Sequence, residues 1–237
     1  MCVKNMAKKK KIKRKELLKE PDEFLTLSSR LFNWVTTHQR QLAYAGVAVA
    51  GLFVLYVAGY LYYRHLNKEA QGRYNAAYEA MAANMKPDSD PKAWEKTESL
   101  FMEVVNRYSL SRVSRLALPQ AAYAAYRERK YDEAIKLYQQ FLSKIGEEAD
   151  YQMLTQMALA ACYEAKGDYS KSIQLLEPLS QEKANPFREL AMISLARVYR
   201  LADRSKDSKR TLKQFIEEFP NSPFLPLAKA LLAKHKA

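Results

Sequence analysis

Glycine is scarce: six in 237 residues, and Gly46, Gly51 and Gly59 all fall in one apolar run. Little material is left for a phosphate-cradling loop, and no nucleophile elbow or zinc-hydrolase spacing occurs either. Histidine is scarcer still, and none of His38, His65 and His235 reads as a metal ligand. Cysteine is limited to Cys2 and Cys162, on opposite sides of the apolar run. If that run spans a membrane the two cannot pair, and Cys162 reads as a small buried residue rather than part of a disulfide scaffold. Acidic pairs such as Glu147-Glu148 and Glu217-Glu218 read as solvated helix faces. No catalytic residue, cofactor site or metal site is expected, and no enzymatic activity. No stretch alternates in the way a strand requires, so the fold class is all-α.

What the chain does have is the run Leu42 to Tyr63, LAYAGVAVAGLFVLYVAGYLYY, with no charge between Arg40 and Arg64. At the helical rise it spans about 33 Å, just over the roughly 30 Å of a bilayer's hydrocarbon core. Ala48-Val49-Ala50 resembles a cleavage box, but it sits inside the run with too few apolar residues before it. The run is therefore read as an uncleaved transmembrane helix over 42–63. Trp34 precedes it, and Tyr56, Tyr60, Tyr62 and Tyr63 cluster toward its far end, which suits an interfacial aromatic belt. Gly46 and Ala50 would allow a second helix to approach.

The net charge of +13 is unevenly spread: residues 1–41 hold eleven basic and four acidic residues, a net of +7. Residues 1–20 read as a disordered basic cytoplasmic tail. Its Lys8, Lys9, Lys10, Lys11, Lys13, Arg14 and Lys15 are placed against anionic lipid headgroups, each worth about 1 kcal/mol near the surface. Nucleic acid is a weaker reading of this cluster, because no aromatic platform or recognition motif accompanies it, and an acidic patch on a partner is the third. Residues 21–41 read as an amphipathic juxtamembrane helix opened by Pro21-Asp22-Glu23, with Phe24, Leu27, Leu31, Trp34 and Val35 on one face. Retention of the lysine cluster orients the span, with the N-terminus cytoplasmic and residues 64–237 across the membrane.

Beyond the span the helix is expected to run on to a loop holding Pro87 and Pro91. Self-similarity then appears. Residues 118–141, LPQAAYAAYRERKYDEAIKLYQQF, lie over 156–179, QMALAACYEAKGDYSKSIQLLEPL, and over 192–215, MISLARVYRLADRSKDSKRTLKQF. The copies resemble the tetratricopeptide repeat, in which Ala122, Ala160 and Ala196 would fall where the two helices of a unit come closest. Ala134, Ser172 and Ser208 fall where neighbouring units approach. Gly167 fits a turn needing positive φ. Tyr131 and Tyr169 open second helices, Tyr163 and Tyr199 close first helices, and Pro220 ends the third unit. Against that repeat motif Ala125 stands where an aromatic is usual, Arg204-Ser205 replace a tyrosine, and Pro119 and Pro178 intrude near helix ends. A fourth unit is expected upstream, pairing the post-span helix with Trp94 to Tyr108. Pro223 to Lys234 would cap the stack, whose last apolar face otherwise meets water.

These motifs resemble the tetratricopeptide repeat, a helix-turn-helix unit. The implied architecture is one transmembrane helix followed by an α-solenoid of about four repeats plus a capping helix over 64–237. First helices of such repeats line a concave peptide-binding face. Mapped residue by residue, that face would present Tyr123, Tyr126, Arg127, Met157, Glu164, Arg197 and Arg200. A short cytoplasmic tail, one anchor and an exported repeat stack together resemble the YfgM-like family, ancillary subunits of the bacterial Sec translocon. That resemblance implies a non-enzymatic scaffold in the bacterial inner membrane with periplasmic repeats and partners among the translocon and periplasmic chaperones. Repeats ending in Phe-Pro-x-Ser also resemble those of outer-membrane assembly lipoproteins, which makes a cell-envelope assembly scaffold the alternative. A nucleic-acid- or ribosome-binding role for the tail comes third.

Overall fold

The computed structural model describes residues 23–85 and 92–234. The basic tail with its headgroup lysines, the Pro21-Asp22 helix start, the loop with Pro87 and Pro91, and His235 lie outside the described residues. Those described are helical apart from turns, with no strand among them. The chain divides into two compact units, residues 1–61 and 62–237.

In the first unit, α1 (Glu23–Thr37) leads to α2 (Gln39–Asn84), which continues into the second. The juxtamembrane helix is less separate than the sequence reading has it. His38 N–H still donates to the Trp34 carbonyl (3.0 Å), and Leu42 N–H to that of His38 (2.9 Å), so helical bonding passes through the junction. The local disturbance has a cause in Thr36 and Thr37, whose hydroxyls bond back to the Phe32 and Asn33 carbonyls and compete with the backbone ladder. Among the described helices, α2 is the one long and apolar enough to cross a membrane, and none of its apolar window is buried.

The second unit is a stack of helix pairs. The later part of α2 faces α3 (Ala93–Arg107). Next come α4 (Arg112–Arg127) with α5 (Tyr131–Leu142), α6 (Ala149–Ala165) with α7 (Tyr169–Gln181), and α8 (Arg188–Leu201) with α9 (Ser205–Glu218). The short α10 (Leu225–Lys234) closes the series, and from α3 onward each helix packs on the next. Ala70, Ala77 and Met81 of α2 are buried while Tyr78 stays half exposed with its ring edge-on to Phe101. Asn84 donates to the Ala93 carbonyl and to the Thr97 hydroxyl, which ties α2 to the start of α3.

The turns inside the last three helix pairs share one geometry. Arg129, Gly167 and Asp203 each adopt positive φ, at 64°, 80° and 58°. The following N–H reaches back to close the helix: Lys130 to the Ala125 carbonyl (2.9 Å), Asp168 to that of Tyr163 (2.9 Å), Arg204 to that of Tyr199 (2.8 Å). This is the Schellman closure, for which glycine is the unstrained residue. Only the middle turn uses it. Pro119 departs from the expected place, because α4 begins at Arg112 and the proline sits in mid-helix. Its missing N–H removes the donor that would have reached the Arg115 carbonyl.

The core runs through the repeat junctions. Trp94, Phe101 and Phe141 anchor the first cluster. Leu176 and Val198 belong to the second, and Leu212 and Phe215 to the third. Ala122, Ala134, Ala160 and Ala196 are all buried, as the close approach of helices demands. The serines at the small-residue position contribute a bond as well as a small volume. Ser172 donates to the Ala160 carbonyl (2.9 Å) and Ser208 to that of Ala196 (2.7 Å), so each hydroxyl is satisfied inside the core. Cys162 is fully buried, and burial pushes its thiol up to about 12, which makes it inert packing material.

Candidate partner-binding face

The seven residues expected on the binding face lie on the first helices: Tyr123, Tyr126 and Arg127 on α4, Met157 and Glu164 on α6, Arg197 and Arg200 on α8. Tertiary structure sorts them into groups. Tyr126, Glu164 and Arg197 come together around a groove of about 390 Å³, which Ala161, Ala165 and Leu201 complete. Two alanines one helical turn apart keep that space open. Arg197 holds Glu164 through two parallel bonds, Nε to Oε1 at 2.8 Å and an Nη to Oε2 at 2.9 Å. The fork of a guanidinium matches a carboxylate in this way, so each side chain fixes the other's orientation in the groove.

Tyr123 and Arg127 are engaged elsewhere. The Arg127 guanidinium lies 4.4 Å from the centre of the Trp94 ring and donates to the Tyr123 hydroxyl at 3.0 Å, while the Tyr123 ring stands edge-on to Trp94 at 5.5 Å. Trp94 is fully buried, so this arrangement fastens α4 to α3. Tyr123 also borders a second opening of about 270 Å³ with Pro119, Tyr151 and Leu154. Met157 is half-buried and Arg200 exposed, and neither lines these openings. Sequence reasoning missed Trp94, Leu201 and the two groove alanines. It also missed a half-exposed leucine at one register position of α6, α8 and α10: Leu154, Leu190 and Leu227. The repeat alignment could have found that row, since Leu154 and Leu190 occupy equivalent places.

A polar cluster sits where α3, the end of α4 and the start of α5 meet. Lys130 Nζ lies 3.2 Å from Glu98 Oε2 and 2.9 Å from Glu128 Oε2. Glu128 Oε1 is buried with no hydrogen-bond partner among the described residues. Burial, and then the neighbouring Glu128 carboxyl, raise Glu98 to about 7, against the counter-pull of Lys130. The Lys130 ammonium is in turn held charged, chiefly by Glu128. His65 does sit beside Glu69, at 3.5 Å one turn on, but among the described residues no group of three or more His, Cys, Asp or Glu could hold a metal ion.

Residues 39–191 match the tetratricopeptide repeat-like domain family, and residues 190–222 match a tetratricopeptide repeat family. No curated protein matches the chain. Among solved structures, similar ones are two crystal structures of nearly identical TPR-like repeats from Podosopora anserina, named for a kinesin light chain. Each is 16% identical; one covers 72% of this chain and 86% of that one with a TM-score of 0.57, the other 71% and 86% with 0.56. At that identity the likeness speaks for the fold alone. The first match starts at the first residue of α2 and takes in every repeat turn but the last, and the second match takes in that last turn and ends before α10. Such repeats generally mediate protein–protein interactions, and this chain belongs to the tetratricopeptide repeat-like domain family.

Proposed function

We propose that the protein is a non-enzymatic scaffold fixed in the bacterial inner membrane by the apolar run of α2, with its repeats in the periplasm holding a partner protein. The observation that carries this reading is the contrast inside one helix. Leu52, Phe53, Leu55 and Tyr56 of α2 are each about two-thirds exposed, whereas Ala70, Ala77 and Met81 further along are buried in the repeat stack. A six-turn apolar surface left bare in water would cost far more than one left in lipid. The resemblance to the YfgM-like family supports the Sec translocon and a periplasmic chaperone as partners, and the Tyr126–Glu164–Arg197 groove is where a partner segment would dock. The retained basic tail supports an N-terminus in the cytoplasm, against anionic lipid.

Topology is the test. A chain with Cys2→Ser, Cys162→Ala and Ser205→Cys is exposed to a membrane-impermeant thiol reagent in intact spheroplasts. Labelling before lysis is the expected result. Protection relieved only by lysis would place the repeats in the cytosol and remove the translocon reading. A second arm isolates the full chain from membranes in mild detergent. Co-isolation of translocon subunits, reduced by Tyr126→Ala with Arg197→Ala, is expected.

A further inference from the structure

The last full repeat carries a charge pattern that the others lack. Residues 42–196 contain eighteen basic and eighteen acidic side chains, whereas residues 197–237 contain ten basic and four acidic, so the +6 beyond the tail and its flank belongs to the final segment. Its centre is α9, where Lys206, Lys209, Arg210 and Lys213 follow one another at helical spacing around a groove of about 450 Å³ that ends at Glu217. Three of the four are exposed and Lys209 is half-buried.

The repeat supplies an internal control. In register, α5 has Asp132, Ile135, Lys136 and Gln139 at these four places, and α7 has Ser170, Ile173, Gln174 and Glu177. Ile135 and Ile173 are buried, so at the position of Lys209 a core residue has given way to a cation. A terminal repeat does need a polar outer face to stay soluble. Solubility is met by mixed signs, however, and this face has one sign along two turns. It also runs against local stability at its start, because the first turn of a helix is the positive end of its dipole and disfavours Lys206 there. Asp207 is engaged with Arg204 and Arg210, and among the described residues no carboxylate pairs with Lys206, Lys209 or Lys213. No exposed aromatic accompanies them on α9, so a base-stacking platform is absent from this helix.

We infer that the exposed face of α9 is a second docking surface, distinct from the groove on the first helices, and that its occupant is a carboxylate-rich segment of a partner protein. Three of the four cations are lysines, flexible point charges that donate to carboxylates in many orientations. Their spacing along a helix suits a partner helix or strand bearing Asp or Glu at matching intervals, and the pairing adds specificity and association rate.

The test uses the full chain in neutral detergent with the basic residues of 8–15 changed to glutamine, which removes the competing tail. A fluorescein-labelled oligoglutamate peptide is titrated by anisotropy at low salt. Lys206→Gln with Lys209→Gln and Lys213→Gln should weaken binding by about tenfold or more, while the same charge change at Lys96, Lys136 and Lys144 leaves it within about threefold; raised salt should abolish it. The α9 variant should unfold at a midpoint no lower than its parent, because it relieves the dipole conflict, so a folding defect cannot account for the loss. Absence of binding at low salt, or equal losses in the two triple variants, would overturn the proposal. Tighter binding to a single-stranded RNA oligomer or to phosphatidylglycerol vesicles than to oligoglutamate would overturn the protein partner. Neither result bears on the Tyr126–Glu164–Arg197 groove, which lies on other helices.

Discussion

Two stretches of α2 differ in how they meet their surroundings within one helix. Residues 42–61 keep Tyr44, Val47, Leu52 and Leu55 exposed, and residues 64–84 alternate exposed Arg64, Arg73 and Glu79 with buried Ala70, Ala77 and Met81. The second stretch has the ordinary amphipathic pattern of a helix with a protein neighbour on one side. The first has no polar face, so no orientation against the protein would satisfy it. Apolarity alone therefore does not mark a core: what matters is whether a polar face opposes it.

The largest expected effect breaks the first stretch. Leu52→Arg with Leu55→Arg places two charges at the centre of the run, each costing about 2.5–3.5 kcal/mol on the insertion scale. The chain should then pass from the membrane pellet to the carbonate-soluble fraction, while thermal unfolding of the repeats stays unchanged. Ala160→Trp breaks the second kind of surface. It forces a large ring into a fully packed junction and should destabilise the stack by about 1–3 kcal/mol, lowering its thermal midpoint without altering membrane retention.

Smaller effects separate one repeat from another. Glu98 has its folded-state pKa raised from 4.5 to about 7, so its protonated form is the one the fold prefers. The associated stability is fully present below about pH 4.5 and is lost as pH rises through about 7, on the order of 1–2 kcal/mol after allowing for Lys130. Denaturant midpoints at pH 5 and pH 8 should show the drop, and Glu98→Gln should remove it and leave the variant the more stable at pH 8. At the third turn, Asp203 holds φ of 58° where the second repeat has Gly167. Asp203→Gly should gain about 0.5–1 kcal/mol by relieving left-handed backbone strain, whereas Gly167→Ala should lose a similar amount; paired chemical unfolding curves distinguish them.

Much of the fold was legible because helical repeats are local. The pairs Ala122/Ala134, Ala160/Ser172 and Ala196/Ser208 share one separation along the chain, and Tyr131 and Tyr169 do begin α5 and α7. The αL position shared by Arg129 and Asp203 with Gly167 was less visible, since neither residue type announces positive φ, although alignment to Gly167 points to it. Pro119 misled the placement of a helix boundary, because the Ser111 cap that starts α4 lies eight residues upstream and outside the aligned copy.

The groove on the first helices was legible only in part. Sequence register assigns residues to first helices, and that sufficed to bring Tyr126, Glu164 and Arg197 to one groove. It could not tell that Arg127 and Tyr123 are taken by Trp94, because that contact joins residues from different units. Nor could it foresee that Glu98, an ordinary acidic residue in the pattern, is covered by the α4–α5 junction.

The sequence by itself determined the apolar run, the helix pairs, their turns and the small residues between them, because hydrophobic period, chain-breaking residues and side-chain volume act over a few neighbouring positions. Only the tertiary structure decided which charges meet and which are buried, such as Glu164 with Arg197 and Glu98 with Glu128 and Lys130. Those pairings depend on how one helix crosses the next, and period alone does not set that crossing.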